Sequence, residues 1–217
     1  MRLWAFLSLF CAFASMPASA SNLDAKFLIK REGKVIGYHA VDVREADGAF
    51  IVETEIEMRV KLGPIPLFKY DHDSQEVWRD GQVVSIDSKT NHDGDKTYVS
   101  ARRQNGLLMI DGSEYQGPAP SDAAPSSYWD KSLVTAGALI NTQTGEIIEI
   151  EVEPLGVTRA PHNREAEHYR VTGTVNLDIW YDGQQWVGSQ FTIDGEELVY
   201  ELVADERQYA VLEEYLD

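Results

Sequence analysis

The chain carries a single cysteine, Cys11, in 217 residues. Beyond it no thiol exists, so disulfides and cysteine nucleophiles are excluded and stability must come from buried apolar surface. Basic residues are scarce: 19 Lys and Arg face 36 Asp and Glu, for a net charge of −17. That charge repels nucleic acid and anionic lipid surfaces, and no nucleic-acid partner is expected. Long hydrophobic runs are missing. The main apolar stretch, Leu3 to Phe13, falls short of the roughly 20 residues that cross a bilayer, so no transmembrane segment is expected in the mature chain. Catalytic signatures are lacking as well: there is no G-x-S-x-G, H-E-x-x-H or C-x-x-C, and no phosphate-binding glycine loop. We assign no catalytic residue and expect no cofactor.

What is present begins with an address. MRLWAFLSLFCAFASMPASA carries Arg2, then an apolar run, then Ala18-Ser19-Ala20, the pattern of a signal peptide over residues 1–20. The expected product is a single antiparallel β domain, 21–217, exported to the periplasm or secreted. A lipid anchor on Cys11 is the weaker reading, because Phe10 before it is too large for such a site.

Period-two alternation dominates the rest. Val52, Thr54, Ile56, Met58, Val60 and Leu62 fall on one side and Glu53, Glu55, Glu57, Arg59 and Lys61 on the other, as in a strand with one buried and one wet face. The pattern recurs at 147–153 and 169–181. Asp-Gly at 47–48, 80–81, 93–94, 111–112, 182–183 and 194–195, with Asn-Gly at 105–106 and Glu-Gly at 32–33, supplies hairpin turns. The spacing predicts a meander of ten or eleven strands, a short helix after Ser126 or Ser127, and a helix or a frayed tail after Asp205. A sheet with one oily side and little helix to cover it curls on itself. We therefore expect an all-β protein: a strongly curved or incompletely closed antiparallel barrel, with a two-sheet sandwich as the alternative.

One motif occurs twice, as EVWRDGQVVS at 76–85 and DIWYDGQQWV at 178–187. With two-residue turns at Asp80-Gly81 and Asp182-Gly183, regular pairing puts Val77 with Val84 and Ile179 with Trp186 on the apolar face. Trp78 and Trp180 then lie on the polar face beside Glu76 and Asp178. Tryptophan next to a carboxylate can stack on a sugar or a cation; it also protects a hairpin, which is the reading favoured here. The His-Asp clusters at 71–76 and 91–95 lack calcium-loop spacing, and His162 with His168 lacks a third zinc ligand, so no metal site is assigned. The apolar turn Gly63–Phe68 and the Tyr128-Trp129 pair could frame the mouth of a cavity.

The order of K-V-I-G-Y-H at 34–39, G-P-x-P-x-F-x-Y-x-H at 63–72, E-x-W-R-D-G at 76–81, Tyr128-Trp129 and W-Y-D-x-x-x-W at 180–186 resembles a family of exported bacterial β-rich proteins of unknown function. A more distant similarity is to the half-open barrels of periplasmic lipoprotein carriers. The resemblance implies location and fold, and carries over no functional residue. The function expected is non-enzymatic binding of a lipid or another amphipathic small molecule, with Phe68, Glu76, Trp78, Tyr128, Trp129, Asp178 and Trp180 as candidate contacts. The alternatives are a structural or interaction module with an envelope protein partner, and an envelope hydrolase using carboxylates such as Glu76 and Asp178.

Overall fold

The structure is a computed structural model that describes residues 23–62, 65–193 and 195–216. The expected signal peptide and the Gly63-Pro64 turn lie outside the described residues. Fifteen strands form one continuous sheet: β1 Ala25–Arg31, β2 Lys34–Ala46, β3 Ala49–Leu62, β4 Ile65–Arg79, β5 Gln82–His92, β6 Asp95–Gln104, β7 Leu107–Gly112, β8 Gln116–Pro118, β9 Ala123–Pro125, β10 Ala138–Ile140, β11 Ile147–Arg159, β12 Glu165–Gly173, β13 Leu177–Asp182, β14 Gln185–Ile193 and β15 Glu196–Leu202. Their spatial order is 8-7-6-5-4-3-2-1-15-14-13-12-11-10-9. Two meanders are therefore joined where β1 pairs with β15. Every described pair is antiparallel except β9 with β10.

The two edge strands, β8 and β9, are consecutive in the chain and do not pair with each other. The ends of the sheet are thus linked covalently through residues 119–122, not by a hydrogen-bonded ladder, and the barrel stays open. A single sheet excludes the sandwich.

Glu32-Gly33, Asp47-Gly48, Asp80-Gly81, Asp93-Gly94 and Asn105-Gly106 all take positive φ at both positions, the turn whose twist matches paired strands. Asp111-Gly112 is no turn; it ends β7. The alternating stretch 169–181, expected as one strand, falls in two, β12 and β13, folded back on each other.

The helix expected after Ser126 is a 3-10 turn, Lys131–Thr135, capped by Asp130. At the C-terminus α1, Glu206–Leu216, starts with a reciprocal cap: Asp205 Oδ1 accepts from Gln208 N, and Gln208 Oε1 accepts from Asp205 N. It covers the outer face through Leu212, packed with Leu28, Tyr38 and Val203.

The core lies on the inner face, where Phe27, Ile29, Val52, Ile86, Val171, Ile179, Tyr181 and Trp186 are fully or almost fully buried. The segment after β9 crosses this face. Trp129 Nε1 donates to Glu76 at 3.2 Å, Ser88 Oγ donates to the Thr142 carbonyl at 2.5 Å, and Tyr181 Oη donates to the Tyr128 carbonyl at 2.7 Å. Residues 126–137, between β9 and β10, therefore act as an internal strap inside the open barrel.

Candidate functional site

The doubled motif departs from the regular hairpins expected of it. In the first copy a bulge separates Val77 from Trp78, so Trp78 pairs with Val83 but Val77 pairs with Ser85. Trp78 and Glu76 face inward, 5% and 0% exposed, while Val77 is only half-buried. Regular pairing put both on the wrong face. In the second copy the turn is Gly183-Gln184, one residue later than expected, since Asp182 pairs with Gln185 and Tyr181 with Trp186. Only Gly183 of that turn is left-handed. That one-residue offset reverses the phase, so the same five letters send their tryptophans to opposite faces of the wall. Trp180 stacks on His168 at 4.2 Å on the outer face, and Trp186 takes the inner position.

The seven candidate contacts thus occupy three places. Phe68 and Tyr128 line a cavity on the concave side. Glu76, Trp78 and Trp129 form a buried cluster: Glu76 Oε2 accepts from Trp78 Nε1 at 2.7 Å as well as from Trp129, and the two indoles meet edge to face at 5.2 Å. Burial raises the Glu76 carboxyl above its ordinary range, opposed by the Trp78, Ser127 and Trp129 side chains, and Oε1 makes no hydrogen bond. Asp178 and Trp180 project from the outer side of β13, Trp180 still buried there, where Asp178 binds Arg170 at 2.9 Å and approaches His168 at 3.2 Å, and Trp180 Nε1 donates to Thr158. Glu76 and Asp178 face opposite sides of the wall, so the carboxylate pair that a hydrolase would need is not assembled from them.

The cavity measures about 660 Å³, within the range of roughly 300–1,000 Å³ usual for small-molecule sites. Its wall is the inner face of β2, β3 and β4 on one side and of β14 and β15 on the other, with Tyr128 of the strap between them. Met58, Val60, Phe68, Phe191 and Leu198 make it oily. Met58 reaches this position because its partner is Gly37, where an added Cβ would come within 2.9 Å of the Met58 backbone and 2.1 Å of the Glu57 carbonyl oxygen. Tyr128 is held at φ 63°, an unfavourable left-handed conformation for a bulky residue, and the Tyr181 hydrogen bond to its carbonyl fixes it there.

Sequence reasoning missed the polar residues of this face. His39 and His72 line the cavity, and both are 2% exposed. His72 Nδ1 lies 2.8 Å from Thr90 Oγ1, whereas neither ring nitrogen of His39 has a partner among the described residues; Thr54 Oγ1 and Ser74 Oγ on neighbouring inward positions have none there either. Burial pushes His39 down to about 3, with the charge of His72 adding to the effect, and pushes His72 down to about 4. Both rings are therefore neutral near pH 7. The signal was available in Thr54 and His72, polar residues in phase with an apolar stripe. Asp71 and Asp73 point outward from the same strand, and no group of three metal-ligating side chains gathers among the described residues. No helix among them is long and apolar enough to cross a membrane.

Fold and cavity together define a barrel-like, antiparallel β protein with an open sheet and an internal strap. The chain belongs to the family described as Domain of unknown function (DUF6134), whose profile matches residues 27–203. Among solved structures it is similar to the beta-barrel-like protein of Domain of Unknown Function DUF1849 from Brucella abortus, with a TM-score of 0.61 at 10% identity, covering 83% of this chain and 94% of that one. At that identity the likeness concerns the fold alone. No curated protein matches the chain.

Proposed function

We propose that this is an exported, non-enzymatic binding protein that takes an amphipathic small molecule into its concave side. The observation that carries the reading is the oily cavity of about 660 Å³ whose inner wall holds two buried neutral histidines. An apolar wall with a few convergent polar groups is the usual make-up of a ligand site, and burying polar atoms without partners costs stability unless a bound molecule completes them. Phe68 and Tyr128 contact the ligand. Trp129, expected at the entrance, instead secures the strap from behind through Glu76. The leader sequence supports export, and N-terminal sequencing of protein recovered from the periplasm or medium is expected to begin at Ser21.

Binding is tested with N-phenyl-1-naphthylamine, an uncharged apolar fluorophore. Saturable fluorescence at one site per chain is expected. Ile56→Trp, on the β3 wall of the cavity, is expected to weaken it by about tenfold or more, a loss of roughly 1.4 kcal/mol. The melting temperature should change less than the affinity, because Ile56 is only partly buried and lines the cavity, into which the larger ring extends. Absence of binding, or binding indifferent to Ile56→Trp, would refute the proposal.

A further inference from the structure

The chemistry of the cavity also identifies which end of a ligand enters first. His39 and His72 sit at its depth, whereas Leu67, 58% exposed, and the Arg31–Glu196 ion pair stand at its rim. Arg31 is the only Lys or Arg among the described lining residues, and its Nη2 already donates to Glu196 at 2.7 Å. Among the described lining residues nothing at depth compensates a carboxylate, phosphate or ammonium, and burying an unpaired charge is far costlier than burying a hydroxyl. A neutral imidazole presents one N–H donor and one bare nitrogen acceptor. A hydroxyl can accept from the one, as an ether oxygen can, but it alone of the two can also donate to the bare nitrogen, and that donation is what distinguishes an alcohol from an ether here.

We infer that the cavity selects uncharged amphiphiles ending in a hydroxyl, which enter head first to reach His39 while the aliphatic tail lies along Met58, Phe68 and Leu198 towards the rim. This rests on the binding reading above and adds the class of ligand and its direction. Trp186, whose ring centre is 5.0 Å from that of His39, places an intrinsic fluorophore beside the seat of the hydroxyl.

The experiment is a calorimetric titration of the purified protein at pH 7.5 with 1-decanol, decyl methyl ether and decanoate, each below its aggregation limit. Decanol is expected to bind about tenfold more tightly than either of the others, the difference that one satisfied buried hydrogen bond makes, and to shift the tryptophan emission. His39→Phe is expected to abolish the advantage of decanol over the ether while ether binding persists. Decanoate binding as tightly as decanol, or ether matching decanol on the unaltered protein, overturns the hydroxyl assignment but leaves an amphiphile site standing. Failure of all three ligands overturns both. The comparison on the unaltered protein does not depend on the variant folding.

Discussion

Lowering the pH from 7 to 4 is expected to remove a large part of the protein's stability, and two buried histidines account for the greater share of the loss. His39 is held down to about 3 and His72 to about 4, against an ordinary value of 6.5, in each case chiefly by burial. Both folded-state values lie below the unfolded one. As pH falls through 6.5 the unfolded chain takes up protons that the folded chain refuses, so stability drains away until each folded value is reached. At about 1.36 kcal/mol per unit, each histidine costs on the order of 3 kcal/mol by pH 4. A domain of this kind has only about 5–15 kcal/mol to lose.

Glu76 acts in the opposite sense. Burial raises its folded value, so the cost of keeping it charged is relieved as pH falls, which offsets part of the decline. At Asp71 burial raises the carboxyl, but Arg59 and Lys69 pull it below its ordinary value, and that contribution is lost only under more acidic conditions. The window from pH 6.5 to 4 therefore reports mainly on the histidines. Urea unfolding midpoints at pH 7, 5.5 and 4 are expected to fall steeply for the natural sequence and far less for the His39→Phe, His72→Phe double variant. Parallel pH dependences for the two proteins would contradict the assignment. At pH 7 the double variant should stay close to the parent in stability, because losing the two unpartnered nitrogens of His39 offsets the loss of the His72 contact to the buried Thr90 hydroxyl.

These histidines also show where the sequence was legible and where it was not. The alternation over β3 announced an inward stripe, and Val52, Thr54 and Met58 are indeed buried along it while Glu53 and Glu55 are exposed. Five two-residue turns were visible in their Gly-containing pairs because a left-handed backbone leaves few residue choices. What failed was phase. Regular pairing across Asp80-Gly81 joined Val77 with Val84, and the two were read as core. The bulge in the β4–β5 ladder instead puts Val83 and Ile86 on the same buried side, and no composition marks a bulge that needs no glycine. The candidate site was harder still, since its walls come from β2–β4 and β14–β15, which are far apart in the chain and are brought alongside each other by the pairing of β1 with both β2 and β15. Phe68 and Tyr128, which line the cavity, were suggested by their apolar loops. His39 lies in the middle of β2, and periodicity alone does not distinguish a functional polar residue from one that is merely tolerated.

Replacing Glu76 with alanine is expected to lower stability by about 4 kcal/mol, mainly because two buried indole N–H groups lose their shared acceptor at about 1–3 kcal/mol each, with a further contribution from the void. For a chain of this size that corresponds to a fall in Tm of roughly 8–16 °C. Glu76→Gln keeps an oxygen for Trp78 and Trp129 and removes a carboxyl that burial disfavours, so its change is expected to stay within about 1 kcal/mol. The two substitutions separate the roles open to this residue. As a pin between β4 and the strap, Glu76 is replaceable by an amide, and the Gln variant should retain amphiphile binding. An acid catalyst would lose its chemistry in both. Because Trp129 carries the pin to the segment that positions Tyr128 against the cavity, the Ala variant should also bind N-phenyl-1-naphthylamine more weakly and admit protease to residues 119–130. Thermal unfolding followed by tryptophan emission, with limited proteolysis alongside, checks each consequence, and equal losses in the Ala and Gln variants would show that the acceptor is not what holds the strap.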